Sequence, residues 1–183
     1  MAINLQKGQR EVLNTGSFIV GLGWDTNESS MGQDFDLDAS IFILGENKKL
    51  ISDQHFIFYN NLASADGAVV HTGDNLTGEG DGDDESIKID LTKLDNAATE
   101  ICVVVTIHDS ETRNQNFGQV RNSFVRIVDK TGEELMKFEL DEDFSIETAV
   151  EFGRIYKRHN EWKFEAVGIG RNGGLQSFID IYS

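Results

Sequence analysis

Residues 34–44 read DFDLDASIFIL, and this stretch decides the class of fold. Its apolar and polar residues alternate: one set is Phe35, Leu37, Ala39 and Ile41, and the other is Asp34, Asp36, Asp38 and Ser40. This two-residue period is that of a β-strand with one buried face. Because neighbouring side chains on one face of a strand lie about 7 Å apart, the aspartates could flank or share a cation that takes further oxygen ligands from another loop.

Several other stretches also read as strands. They are rich in the β-branched and aromatic residues that favour strands: SFIVGLGW from Ser17, HFIFYNN from His55, SIKIDL from Ser86, EWKFEAVGIG from Glu161 and GLQSFIDIY from Gly174. The near-continuous apolar run TEICVVVTIH from Thr99 is typical of a central strand covered on both faces. RNSFVRIVD and EELMKFEL, on either side of a turn at Lys130 to Gly132, predict a hairpin.

One stretch departs from the strand period. Residues 145–159, SIETAVEFGRIYKRH, place Ile146, Ala149, Val150 and Tyr156 at helical spacing and end on basic residues, which favour a helix C-terminus. The stretch predicts one sizeable helix. The many short strands and glycine turns predict a mostly β protein, a two-sheet and largely antiparallel β-sandwich with that helix and short helical turns. One domain over residues 1–183 is expected.

Composition narrows the possible partners and the compartment. Thirty-two acidic residues against sixteen basic ones give a formal charge of −16, which argues against nucleic acid or an anionic membrane surface as a direct partner. Cys102, the single cysteine, lies in an apolar run and is expected to be buried and inert. The start of the chain lacks the apolar run of a signal peptide and no stretch is long enough to span a membrane, so a cytoplasmic protein is expected.

The segment Gly73 to Glu85, GDNLTGEGDGDDE, interleaves glycines with carboxylates and predicts a cation site. Like charges brought together in a folded loop need a counter-charge, and Ca²⁺ takes about six to eight oxygen ligands of the kinds found here. Asn60 and Asn61, at the end of a predicted strand, would add neutral oxygens. EF-hand spacing fails in both acidic windows, so separate loops would have to build the site. The alternative is a solvated acidic loop that only maintains solubility.

Seven motifs together resemble the TerD/TerE family of bacterial tellurium-resistance and general stress proteins. They are GLGWD at 21–25, FDLDAS at 35–40, FIFYNNL at 56–62, the acidic segment at 73–85, NFGQV at 116–120, FGRIYKR at 152–158 and EWKFEAVG at 161–168. The resemblance covers essentially the whole chain. It implies a β-sandwich that binds Ca²⁺, a cytoplasmic location, and a link to resistance against tellurite and other stresses.

The resemblance also implies a ligand set for calcium, with two ions expected. Carried over position by position, the ligands would be Asp25, Asp36, Asp38, Asn60, Asp74, Asn75, Gly80 through its carbonyl, Asp83, Asp84 and Glu85. Asp34 and Asp81 are secondary candidates beside this set. No catalytic residue is assigned.

The leading hypothesis is a non-enzymatic, calcium-binding stress-response protein. It would act in a complex with other stress or tellurite-resistance proteins, without direct contact to nucleic acid or insertion into a membrane, and would be monomeric alone. The alternative is a metal-dependent hydrolase acting on phosphoester or nucleotide substrates, and a calcium-dependent membrane binder of the C2 kind is a third possibility. A hydrolytic triad of His108, Asp109 and Ser110 is not expected, because adjacent strand residues point to opposite faces.

Overall fold

The computed structural model describes residues 2–25, 32–72, 83–140 and 146–183. In these residues the chain forms twelve strands, a 3₁₀ turn at Asp53–His55 and two α-helices. The strands are β1 Ile3–Leu5, β2 Arg10–Val12, β3 Ser17–Gly23, β4 Leu37–Leu44, β5 Phe56–Ile57, β6 Val69–His71, β7 Glu85–Asp90, β8 Glu100–Ile107, β9 Phe124–Asp129, β10 Glu134–Glu139, β11 Ala149–Arg158 and β12 Glu161–Arg171. The helices are α1, Ser110–Arg113, and α2, Gly174–Tyr182.

The strands form two six-stranded sheets. Sheet 1 has the order β1-β10-β9-β3-β7-β6, and sheet 2 has the order β2-β12-β11-β8-β4-β5. The pairing of β1 with β10 is parallel, and the other strand pairs of the two sheets are antiparallel. One hydrophobic core takes side chains from both sheets. The predicted two-sheet, largely antiparallel sandwich is therefore confirmed.

Alternate residues of β4 point to opposite faces, as the pattern in residues 34–44 predicts. Both faces are buried, however, and not only one. Leu37, Ala39, Ile41 and Ile43 belong to the core between the sheets. On the other face, Phe42 and Leu44 join a second cluster with Cys102 and Val104 of β8, and this cluster packs under α2. Strand β8 is buried along its whole length, as its apolar run predicts.

The predicted helix at residues 145–159 is wrong, because this stretch contains strand β11. β11 pairs with β12 on one side and β8 on the other, and both registers shift between Glu151 and Gly153. This β-bulge breaks the two-residue period, so Val150, Phe152 and Ile155 all reach the core although their spacing is irregular. Because the bulge interrupts the two-residue period, the apolar residues of this stretch have a spacing in the sequence that resembles the spacing of a helix.

The sizeable helix lies at the C-terminal end of the described chain, where the sequence pattern predicted a strand. Leu175, Phe178, Ile179 and Tyr182 have the i, i+3, i+4, i+7 spacing of one helix face. This face packs on the apolar outer side of sheet 2, with Phe178 fully buried. The helical spacing is present in the sequence, but the same residues also favour a strand. The helix forms because it covers the apolar outer faces of β8 and β4.

Candidate functional site

The predicted ligands that the structure describes lie just after β3 and β5 and near the start of β4 and β7. Two hydrogen bonds join the sheets at this end of the sandwich. The indole Nε1 of Trp24 donates to the carbonyl of Phe35 at 3.2 Å, and the backbone N of Ala39 donates to Oε2 of Glu85 at 2.7 Å. Residues that are far apart in sequence, after β3 and before β4 and β7, are thereby brought to one end of the fold.

Asp84 is the centre of the first group of acids. Its Oδ2 accepts a hydrogen bond from the backbone N of Trp24 at 2.9 Å. Burial raises the pKa of Asp84, the Trp24 hydrogen bond opposes this rise, and the carboxylates of Asp83 and Asp25 raise the pKa further. Asp25 in turn accepts a hydrogen bond from Nδ2 of Asn122 at 2.5 Å. The fold therefore places Asp25 and Asp84 near enough to repel one another in their ionised forms.

Asp83 is bound by an arginine that sequence reasoning missed. Nε of Arg126 donates to Oδ1 of Asp83 at 2.7 Å, while Nη1 of Arg126 donates to Glu134 at 2.9 Å. The carboxylate of Asp83 lies over Gly21 of β3, where a Cβ would overlap it. Because the carboxylate of Asp83 already contacts Arg126, Asp83 has less need of a metal ion than Asp25 and Asp84 have.

The second group of acids lies at the start of β4. Asp36 and Asp38 are only 7% and 9% exposed. The backbone N of His108, which follows β8, donates to the carbonyl of Asp36 at 2.8 Å, and Nδ1 of His108 lies 3.7 Å from Oδ2 of Asp38. The ring of Tyr59, next to Asn60, meets the ring of His108 edge-on with 6.5 Å between centroids. The turn that carries Asn60 is therefore adjacent to the start of β4.

Glu85 lies between the two sheets and is 2% exposed. Besides accepting from Ala39 across the sandwich, its Oε2 lies 3.5 Å from Nε2 of the buried His71 on β6. Sequence reasoning gave His71 no role. Glu85 therefore links the two sheets, in addition to its predicted role as a ligand.

The structure does not place the remaining predicted ligands in either group of acids. Asp74, Asn75 and Gly80, with the secondary candidate Asp81, lie outside the described residues. The carbonyl of Asp34 accepts hydrogen bonds from Arg113 and Gln115. Within residues 2–25, 32–72, 83–140 and 146–183, no three His, Cys, Asp or Glu side chains form a group that could hold a metal ion. The ligand set stays a prediction.

Two other expectations concern reactive groups. Cys102 is buried, and burial raises the pKa of its thiol well above the ordinary value, so the expectation of a buried thiol is confirmed. His108 and Asp109 were expected on opposite faces, but Nε2 of His108 lies 3.5 Å from Oδ2 of Asp109. Asp109 has φ 51°, outside strand geometry, which redirects its side chain.

Comparison with known proteins gives matches over the whole chain. The family model described as the TerD domain matches residues 1–182. General stress protein 16U of Bacillus subtilis is 53% identical over 188 aligned positions, covering 100% of this chain and 97% of that protein. Tellurium resistance protein TerD of Serratia marcescens is 52% identical over 188 positions, with 100% and 97% of the two chains covered.

A solved structure shares the fold. The crystal structure of a homologue of telluride resistance protein (TerD) from Streptomyces coelicolor matches with a TM-score of 0.72, covering 92% of this chain and 98% of that chain. Its sequence is 19% identical, so this likeness concerns the architecture alone. Among the residues that the structure describes, no helix is both long and apolar enough to traverse a lipid bilayer.

Proposed function

Because this chain belongs to the TerD family of tellurium-resistance and stress-response proteins, as its motifs predict, we propose that it binds calcium and acts as a non-enzymatic interaction module. It would do so in the cytoplasm, in complexes with other stress or tellurite-resistance proteins, and would be monomeric by itself. The observation that carries the calcium proposal is the grouping of Asp25, Asp83 and Asp84 at one end of the sandwich, where the backbone of Trp24 binds Asp84. Burial and the two neighbouring carboxylates raise the pKa of Asp84 there.

The donors present suit a hard divalent cation. A carboxylate with a raised pKa is less stable as an anion in the folded chain than in water, and a nearby divalent cation reverses that balance. Oxygen is the donor atom that Ca²⁺ prefers. We assign Asp25 and Asp84 to one ion, and Asp36, Asp38 and Asn60 to a second.

The other predicted ligands would complete these two groups. Asp74, Asn75 and Gly80 would add oxygens from the acidic segment. Glu85 and Asp83 would contribute less, because Ala39 and Arg126 already contact their carboxylates. A bound ion would neutralise charge that the fold brings together, and would so couple calcium level to the stability of this end of the sandwich.

Calorimetric titration of chelator-stripped protein with Ca²⁺ and then Mg²⁺ tests the proposal, together with melting curves in EGTA and in calcium. Binding to the folded state alone at a hundredfold excess over Kd should stabilise by about 2.7 kcal/mol per site. An identical melting temperature in EGTA and calcium, with no heat of binding, would refute calcium binding.

Asp84→Asn makes the test sharper because its effect should change sign with calcium. Asparagine can still accept the hydrogen bond from Trp24. In EGTA the variant should be at least as stable as the wild type, since the pKa of Asp84 is raised by folding and its charge therefore opposes folding at neutral pH. In calcium the variant should be the less stable protein. Asp180→Asn, on the exposed side of α2, is the matched control and should change neither result.

Assays of the metal-loaded protein against phosphoesters and nucleotides test the non-enzymatic part. No turnover above that of Asp84→Asn is expected. Metal-dependent turnover that Asp84→Asn abolishes would instead support a metal-dependent hydrolase. Sedimentation of the isolated chain, with and without calcium, tests whether it is monomeric.

A further inference from the structure

Helix α2 is held against sheet 2 by hydrogen bonds at both of its ends. At its start, the backbone N of Gly174 donates to Oγ1 of Thr148 at 2.9 Å. At its end, the carbonyl of Tyr182 accepts a hydrogen bond from the backbone N of Leu50 at 2.7 Å. Between these two points the helix covers the apolar outer faces of β4 and β8. α2 is therefore a cover that lies on the sheet and is fastened at its two ends.

Two consecutive glycines connect β12 to this cover. Gly173 has φ 110° and Gly174 has φ 61°, and both values lie in the region that residues with a side chain rarely adopt. Without a Cβ, the backbone at these two positions changes its dihedral angles at little cost. Small residues at the end of an element are a common form of hinge. The connection therefore allows α2 to leave sheet 2 while β12 stays paired.

A carboxyl group lies buried beneath the last turn of α2. Glu151 of β11 is only 8% exposed, and its Oε2 accepts a hydrogen bond from the phenol of Tyr182 at 3.1 Å. The buried thiol of Cys102, on β8, is a second neighbour of this carboxyl. The helix and two strands of sheet 2 therefore enclose one ionisable carboxyl group between them.

The charges around Glu151 do not favour a second anion at this place. The titratable and charged groups of the surrounding elements are Cys102 and Glu100 on β8, Arg154 on β11, Glu165 and Arg171 on β12, Tyr182 on α2, and Lys48 before the 3₁₀ turn. Arg154 already donates to Glu100 at 3.1 Å and to Glu165 at 2.7 Å. Within the described ranges of the chain, Glu151 itself makes no ion pair. An ionised Glu151 would therefore be a buried charge whose nearby arginine is bound to two other carboxylates.

These surroundings make Glu151 hold its proton more tightly. Burial raises the pKa of Glu151 and is the largest cause. Contacts with Cys102 and Tyr182 oppose the rise, the charge of Glu100 adds to it, and Arg154 has a smaller opposing effect. An acid whose pKa is higher in the closed than in the open form stabilises closure at low pH. That stabilisation is lost as pH rises from the value of an exposed glutamate, about 4.3, through the value in the closed form.

We propose that Glu151 is a proton-binding group that controls whether α2 covers sheet 2. With the carboxyl protonated, α2 stays closed over β4 and β8. Loss of the proton leaves an anion in a buried site beside Glu100, and α2 opens at residues 173–174 so that water reaches the anion. Tyr182 and Cys102 stay neutral, because burial raises the pKa of the phenol and of the thiol. Acidification therefore strengthens the cover, and a rise in pH exposes the apolar outer faces of β4 and β8.

Chemical labelling of Cys102 tests the proposal, because this residue is the single cysteine of the chain and lies under α2. The rate of its reaction with a disulfide reagent is measured in EGTA from pH 5 to pH 8, for the wild type and for Glu151→Gln. Dividing the wild-type rate by the rate of the variant at each pH removes the ordinary pH dependence of a thiol. This ratio should rise at least about tenfold from pH 5 to pH 8, since each unit of difference in pKa corresponds to a factor of ten.

Two further variants identify the group that titrates. Asp180→Asn removes a carboxyl from the exposed side of α2 and should keep the pH dependence of the wild type. Tyr182→Phe keeps the carboxyl of Glu151 but loses the phenol, so Cys102 should react faster at every pH while the pH dependence remains. A ratio of wild type to Glu151→Gln that is constant from pH 5 to pH 8 would overturn the proposal. Loss of the pH dependence in Asp180→Asn or in Tyr182→Phe would overturn it as well, because the titrating group would then be a different one.

Amide hydrogen exchange separates opening of α2 from unfolding of the whole chain. After correction for the intrinsic exchange rates, the amides of residues 176–182 in the wild type should open more often at pH 8 than at pH 5. The amides of β3 and β9, in sheet 1, should stay equally protected at both values. An equal increase in both sheets, or no increase in α2, would contradict a local opening and so refute the proposal. If Glu151→Gln does not fold, this measurement on the wild type decides by itself.

Discussion

Glu85→Ala should lower the free energy of unfolding by about 2 to 3 kcal/mol in the presence of EGTA. The carboxylate accepts a 2.7 Å hydrogen bond from the backbone N of Ala39, on the opposite sheet. Hydrogen bonds to charged groups contribute about 1.5 to 3 kcal/mol, and a buried donor that loses its acceptor costs about as much. EGTA removes any contribution of a bound ion, so the measured change reports the contact between the sheets.

Glu85→Gln separates the hydrogen bond from the charge. The amide oxygen of glutamine can still accept from Ala39, so this variant should lose only about 1 kcal/mol. Urea unfolding followed by circular dichroism measures the free energy of unfolding of both variants. If the slope of this free energy against urea concentration equals that of the wild type, the substitution has changed stability alone. Glu139→Ala, an exposed glutamate on β10, is the control and should stay within about 0.5 kcal/mol of the wild type.

Two outcomes would contradict this reasoning. If Glu85→Ala in EGTA lies within the range of the Glu139→Ala control, the hydrogen bond to Ala39 does not hold the sheets together. If Glu85→Gln is as unstable as Glu85→Ala, the negative charge beside His71 is the stabilising feature instead.

Three further changes test other parts of the molecule. Phe178→Ala should lower the free energy of unfolding by about 3 to 5 kcal/mol, because the ring is fully buried between α2 and sheet 2. It should also speed the reaction of the native Cys102 thiol with a disulfide reagent. Glu100→Gln should be less stable than the wild type at neutral pH, with the difference shrinking below about pH 4 in urea unfolding series. Gly21→Ala should cost about 1 to 3 kcal/mol by the same assay, because its Cβ would overlap the Asp83 carboxylate.

The pH dependence at Glu100 follows from its partners. Burial raises the pKa of this carboxyl, but hydrogen bonds from Lys48 and Arg154 outweigh burial and hold the pKa below its ordinary value. A carboxyl whose pKa is lower in the folded than in the unfolded chain stabilises the fold above the unfolded value of about 4.3, and that stabilisation is lost as pH falls through the folded value. A stability difference that is constant from pH 7 to pH 3 would contradict this account.

Matched substitutions control the other two changes. Ile169→Ala removes an exposed side chain from β12 and should change neither stability nor the reactivity of Cys102. Gly16→Ala would place its Cβ 3.3 Å from the flexible Cγ2 of Thr92, so it should cost much less than Gly21→Ala. Equal costs for the two glycine variants would refute the argument from the Asp83 carboxylate.

The class of fold could be read from local patterns, because a strand with one core face leaves a two-residue period in the sequence. Residues 34–44, the run from Thr99 and the hairpin at Lys130 to Gly132 all gave strands where expected. The TerD motifs identified the family, since they are spread along the whole chain. The sequence also showed which acids are present in each segment.

The tertiary structure decided what local periodicity left ambiguous. The bulge between Glu151 and Gly153 depends on pairing with two neighbouring strands, so residues 149–158 are a strand despite their helical spacing. The residues at 174–182 become a helix because the outer faces of β4 and β8 are apolar and need cover. Arg126 reaches Asp83, and Glu85 reaches Ala39, only once the sheets are assembled. Contacts between distant segments produce no periodic pattern along the chain. The sequence alone therefore shows which charged residues are present but not which residues they contact.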